Sequence, residues 1–119
     1  GKRMTFGAAD FQVNGTASSP VVFTSESDGT HGAGGGTAAP GDWIGLEFVN
    51  STGTVDNAWI GYAGAGGNAG IECQNVTQLT LCNVTVQYCA NEAIDLNCNS
   101  APIQKRFIAR CVGCRGPTR

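Results

Sequence analysis

Three carboxylates recur inside one short phrase. Glu47 stands in Ile44-Gly45-Leu46-Glu47-Phe48, Glu72 in Ala69-Gly70-Ile71-Glu72-Cys73, and Asp95 in Glu92-Ala93-Ile94-Asp95-Leu96. The branched residue ahead of each acid advances from 46 to 71 and from 71 to 94, that is by 25 and then 23 positions. Self-similarity at that period marks a solenoid, in which equivalent positions of successive coils lie one above another. The alternation around each acid assigns it an outward slot, so Glu47, Glu72 and Asp95 are expected to form a vertical column, with Gln12 extending it. Like charges about 4.8 Å apart repel by roughly 1 kcal/mol in water and about 3 to 4 kcal/mol near a protein surface. Lys105, Arg106 and Arg110 on a solvated face would relieve that repulsion, and so would a bound cation or a row of polysaccharide hydroxyls.

The second set with chemical content is six cysteines, Cys73, Cys82, Cys89, Cys98, Cys111 and Cys114, all within the last 47 residues. Cys111-Val112-Gly113-Cys114 is a CxxC, but no second CxxC accompanies it as a zinc site needs, nor the βαβ pattern of a thiol oxidoreductase. Cys73 to Cys98 and Cys89 to Cys114 are both 25 residues apart, about one coil, and Cys82 to Cys111 is 29. The expectation is three bridges, 73–98, 82–111 and 89–114, joining the third coil to the fourth, each contributing about 2 to 4 kcal/mol. An even, dense set of cysteines fits an oxidising extracytoplasmic compartment. Four glycosylation sequons, at Asn14, Asn50, Asn75 and Asn83, fit the same location.

The remaining candidates are weaker. Glu26, Asp28 and Asp42 offer hard oxygens to a calcium ion without the spacing of a known calcium loop, so no cofactor is expected beyond that one option. Tyr62 and Tyr88 stand about one coil apart and, with Trp43 and Trp59, would make a sugar-stacking platform. The single histidine, His31, lies in a glycine-rich stretch with no matching Lys or Arg set, so no catalytic residue is assigned.

The elements that must carry these residues are short strands. No stretch has a clean helical stripe; apolar residues alternate in short runs broken by Gly, Asn, Ser and Pro, which predicts an all-β chain. A β-sandwich with Asn in its turns would explain that alternation but not the repeated phrase, which favours the solenoid. Phe11-Gln12-Val13 and Val21-Val22-Phe23 make a first coil, with Phe11 and Val13 inward. Residues 25–42 form a glycine-rich loop that projects between coils one and two. Three columns are expected inside: Val55, Leu81 and Ala109; Ala58, Val84 and Val112; Ile60, Val86 and Cys114. Asn57, Asn83 and Cys111 stack at a corner beside them.

With 119 residues the chain reads as one domain, 1–119. Charged residues are 13% and the net charge is −2, giving no nucleic-acid footprint and no basic membrane patch. No apolar run is long enough for a transmembrane helix. The chain opens on Gly1-Lys2-Arg3, as a processed or excised product would.

Asn14-Gly15-Thr16 with Pro20 and Phe23-Thr24-Ser25, Pro40-Gly41-Asp42-Trp43 with Gly45-Leu46 and Phe48, and the Tyr62-Ala63-Gly64 segment resemble the secreted right-handed parallel β-helix proteins of the pectate-lyase-like superfamily. The likeness spans nearly the whole chain and implies coils of three short parallel strands around a dry interior. It implies many more coils than the four or so that fit here, and an amino-terminal capping helix that has no counterpart in this sequence. The family's catalytic acids work with Lys, Arg or His around a groove, and none of these is carried over. Open end coils, sequons, cysteines and the missing catalytic set lead to one expectation. The chain is a non-enzymatic extracellular or cell-surface structural subunit that self-associates through open coil ends, into an oligomer or filament. The alternative is a carbohydrate-binding module, or a fragment of a polysaccharide-active β-helix enzyme.

Overall fold

The computed structural model describes residues 2–7, 10–31, 34–76 and 78–95, together with the backbone of 104–112. Among the described residues the fold is all-β, with a single 3-10 turn at Ala65–Gly67. The strands are β1 (Arg3–Phe6), β2 (Asp10–Asn14), β3 (Val21–Phe23), β4 (Gly45–Val49), β5 (Thr52–Gly61), β6 (Ile71–Gln74), β7 (Gln78–Gln87), β8 (Ile94–Asp95) and β9 (Gln104–Val112). The chain visits two sheets in turn. One has the order β1-β4-β6-β8 and the other β2-β5-β7-β9, with β3 paired to the second half of β5. Every pairing is parallel, which needs a long return path between neighbours, and the path here runs through the other sheet.

From β4 onward, parallel strands in this chain advance by a nearly constant step, whereas the insert lengthens the step from the first layer to 37 or 42 residues. Leu46 pairs with Ile71 and Ile71 with Ile94; Val55 pairs with Leu81, Ala58 with Val84 and Ile60 with Val86. The columns read from the sequence therefore hold between β5 and β7. They slip in β9, where Phe107 rather than Ala109 lies beside Leu81, Ala109 beside Val84, and Cys111 beside Val86. The slip begins at a register shift between Cys82 and Val84, so β9 passes that corner with no residue opposite Asn83.

Among the described residues six non-glycine residues adopt a left-handed backbone, and they fall into three pairs one step apart. Asn50 and Asn75 have φ 50° and 53°, Asn57 and Asn83 51° and 54°, and Tyr62 and Tyr88 62° and 57°. Each pair marks a bend at the same place in successive layers. Asparagine tolerates this conformation because its short amide can bond locally, whereas tyrosine adopts it at a cost of about 1 to 2 kcal/mol. At the first bend the amides stack, Asn75 Nδ2 donating to Asn50 Oδ1 at 3.1 Å. At the second, Asn57 Nδ2 donates to the Gly15 carbonyl of the first layer at 3.4 Å and to Asp56 Oδ1 at 2.9 Å.

The core lies between the sheets. Phe48, Leu46, Ile60, Ile71, Leu79, Leu81, Val84, Val86 and Ile94 are almost wholly buried, alternating with half-exposed polar neighbours as period-2 strands require. At the amino-terminal end Phe11 stacks on Phe48, rings 4.0 Å apart and parallel to within 2°, and Phe6 lies against both. The inward Phe11 and Val13 and outward Gln12 match the sequence expectation; β1, built from Arg3-Met4-Thr5-Phe6, was not anticipated. Gly45 is irreplaceable on steric grounds, since its φ is +132° and a Cβ would lie 2.7 Å from the carbonyl oxygens of Ala69 and Gly70.

Candidate functional site

The three acids do share one row. Pairing puts Thr5 beside Glu47, Glu47 beside Glu72 and Glu72 beside Asp95. Gln12 is not in that row, because it belongs to the other sheet and pairs with Thr54. Nor is the row uniformly outward. Glu47 and Glu72 are partly exposed beside a shallow hollow of about 120 Å³ shared with Cys73 and Gln74, but Asp95 is buried. Glu47 is relieved by Arg3, Nε to Oε2 at 3.2 Å, while Arg3 also donates to Asn68 Oδ1 at 3.1 Å. Glu72 Oε1 accepts the Ala69 N–H at 2.8 Å. Glu47 thus ties β4 to β1, and Glu72 holds the turn that leads into β6. The side chains of Lys105, Arg106 and Arg110, expected to serve the column, lie outside the described residues.

The richer constellation lies on the glycine-rich insert, which does not simply project. Residues 24 to 31 fold back around Asp28, whose side chain is only 2% exposed. Thr24 Oγ1 donates to Asp28 Oδ2 at 2.7 Å, the Thr30 and His31 N–H groups reach Oδ1 at 2.9 and 3.3 Å, and His31 Nδ1 lies 2.9 Å from Oδ2. The Thr24 hydroxyl bond leads, with the Thr30 and His31 bonds behind it, in lowering the Asp28 carboxyl from 3.8 to about 2 against the opposing effect of burial. His31 in turn stacks on Trp59, ring centres 4.1 Å apart. Trp59 Nε1 donates to Gln87 Oε1 at 2.9 Å, and its indole covers Gly61, which has no side chain to obstruct it.

Trp59 meets Tyr62 edge-on at 6.1 Å, and Tyr62 stacks on Tyr88 at 5.3 Å. The two tyrosines expected one step apart are therefore in contact, with Tyr88 41% exposed. Burial first, then the negative charge of Asp28, pushes the Tyr62 phenol above its ordinary value. His31, Asp28 and Trp59 were missed in the sequence as a unit. The signal was Asp28-Gly29-Thr30-His31, an acid followed within three residues by groups that can bond back to it.

The insert's second acid is fixed separately. Ser25 Oγ donates to Asp42 Oδ2 at 2.6 Å, and the Ala39 N–H reaches the same oxygen at 3.1 Å. Glu26, Asp28 and Asp42 are not gathered into one shell; among the described residues no group of three or more His, Cys, Asp or Glu side chains is placed to hold a metal.

Of the cysteines, Cys73 and Cys89 are buried and Cys82 is partly exposed. Cys82 pairs across the sheet with Ile108, three residues before Cys111. Cys98 and Cys114, and the side chain of Cys111, lie outside the described residues, and with them the three expected bridges. All four sequon asparagines are exposed, but Asn50 and Asn75 are bonded to each other and Asn83 occupies a left-handed bend. No protein-family model, no curated protein and no solved structure matches the chain.

Proposed function

We propose that the two parallel sheets are faces of a right-handed parallel β-helix, and that the protein is a non-enzymatic structural subunit of an extracellular or cell-surface assembly. The β-helix reading is supported by the alternation of the chain between two all-parallel sheets, the 23- to 26-residue steps, and three left-handed bends per layer. One observation carries the structural reading. The outer edge of β1 and β2 has no paired strand among the described residues, and directly behind it lies the Phe6, Phe11 and Phe48 cluster. An open parallel edge backed by apolar rings is a template for another coil, here one supplied by a second copy. Met4, 45% exposed on β1, sits at that edge.

Sedimentation over a concentration series tests this, with Met4→Lys as the comparison. Association in the wild type that the added charge abolishes supports the reading. A monomer throughout, or association indifferent to the substitution, overturns it.

A second reading, carbohydrate binding, is favoured by the corner where Tyr88 is stacked on Tyr62 and remains partly exposed. A tyrosine held this way offers a rigid apolar surface to a sugar ring at little entropic cost. Loss of glycan binding in Tyr88→Ala, with an unchanged fold, is the expected outcome under that reading; equal binding in both proteins excludes it.

A further inference from the structure

Beside the tyrosine corner the insert and the start of the chain enclose a cleft of about 450 Å³, lined by Lys2, Thr24, Ser25, Glu26, Ser27, Asp42 and Trp43. Its walls are fixed by bonds that do not involve any ligand. The Ile44 N–H donates to the Lys2 carbonyl at 2.7 Å, anchoring the first strand's approach. Trp43 Nε1 donates to the Gly61 carbonyl at 2.7 Å, which sets the plane of the indole. Ser25 Oγ joins the Ser27 N–H, at 3.0 Å, to Asp42 Oδ2, at 2.6 Å. Against this framework the functional atoms are unspent. Among the described residues neither Lys2 Nζ, nor the Glu26 carboxylate, nor Asp42 Oδ1 has a hydrogen-bond or ion-pair partner.

We infer that this cleft is a binding site for a short saccharide that carries no acidic groups. Its volume is within the range of small-ligand sites and suits one or two pyranose rings. A pyranose has an apolar C–H face and a rim of hydroxyls that both donate and accept, and the cleft supplies the complement of each. The Trp43 indole takes the face; Glu26 and Asp42 Oδ1 accept from hydroxyls, Lys2 donates to them, and the Ser27 hydroxyl does either. Two carboxylates against one ammonium leave the cleft negative, with the buried Asp28 carboxylate behind the same segment. Uronates, nucleotides and acidic peptides are therefore rejected by charge, and neutral or amine-bearing sugars are accepted. The cleft adjoins β1 and the tyrosine corner through backbone bonds, but its lining side chains are distinct from those of either.

Isothermal titration of the full chain tests this with four probes: a gluco-oligosaccharide, a chito-oligosaccharide, its deacetylated form and an oligogalacturonate. Binding of at least one of the first three at about 1 mM or tighter is expected, with the oligogalacturonate at least about tenfold weaker. Glu26 is exposed, so Glu26→Gln retains the fold; it should weaken binding about tenfold, the loss expected for one charge-assisted hydrogen bond. Trp43→Phe, which keeps a ring but narrows the stacking face, should weaken it as well. Glu72→Gln, on β6 and outside the cleft lining, and Tyr88→Ala should leave it unchanged. The proposal is overturned if none of the three sugars binds, if the oligogalacturonate binds as well as they do, or if Glu26→Gln has no effect. Loss in Tyr88→Ala with no loss in Glu26→Gln assigns sugar binding to the tyrosine corner and likewise overturns it.

Discussion

At Asn83 the backbone is left-handed, and the residue faces solvent, so its side chain contributes little to the core. The value of the residue is conformational, which makes substitution there informative. Asn83→Ala should cost about 1 to 2 kcal/mol because alanine has no local bond to offset the left-handed strain, whereas Asn83→Gly should be neutral or slightly stabilising. Denaturant melts of the two variants check it; equal losses would contradict the bend as described. Ser51 poses the opposite case, a hydroxyl 4% exposed as a residue and without a hydrogen-bond partner among the described residues. Ser51→Ala should therefore raise stability by about 1 kcal/mol, the cost of an unsatisfied buried group. Asp28 gives a pH dependence with a definite sign. Its carboxyl is lowered from 3.8 to about 2 in the folded chain, so its contribution is fully present above 3.8 and is lost as pH falls through about 2. The acid limb of a stability–pH curve should shrink between those values in Asp28→Asn, and an unchanged limb would show that the hub does not form.

The insert is the element in which sequence and structure part furthest. Eighteen residues rich in glycine, 25–42, read as a loop standing off the coils, yet Ser25 and Asp28 are buried and His31 lies on Trp59. Composition reports the absence of apolar side chains; it does not report that a polar hub can fold a segment back through backbone donors. Removing the hub should release the element alone. In Asp28→Ala, amide exchange at 24–31 should accelerate while amides of β7 such as Leu79 and Leu81 keep their protection, and a uniform change would mean that the insert is integral to the core. The strands were far more legible. The phrase around Glu47, Glu72 and Asp95 and the columns through Val55, Ala58 and Ile60 pointed to the pairing of β4 with β6 and of β5 with β7, because a one-residue slip would turn the apolar side outward and the repeated phrase selects among the registers that remain. The same logic misplaced β9, where the chain crosses the Asn83 corner one residue short and apolar Phe107 and Ala109 fit either of two registers.

For the molecule as a whole, two parallel sheets visited alternately leave each strand dependent on partners far along the chain, 37 or 42 residues across the insert and 23 to 26 beyond it, so stability is shared between layers and not concentrated in one hairpin. The candidate sites follow the same plan. Tyr62 and Tyr88 could be matched from spacing because they repeat with the layers, whereas the Asp28–His31 hub and the Lys2–Glu26–Trp43 cleft occur once and leave no periodic trace. The central claim is the layered parallel register, and backbone nuclear Overhauser contacts measure it most directly. Parallel-strand contacts linking Glu47 to Glu72, Val55 to Leu81 and Ile60 to Val86 are predicted in one sample. Short Hα–Hα contacts of antiparallel pairs between these segments, or no contact between Val55 and Leu81, would contradict it.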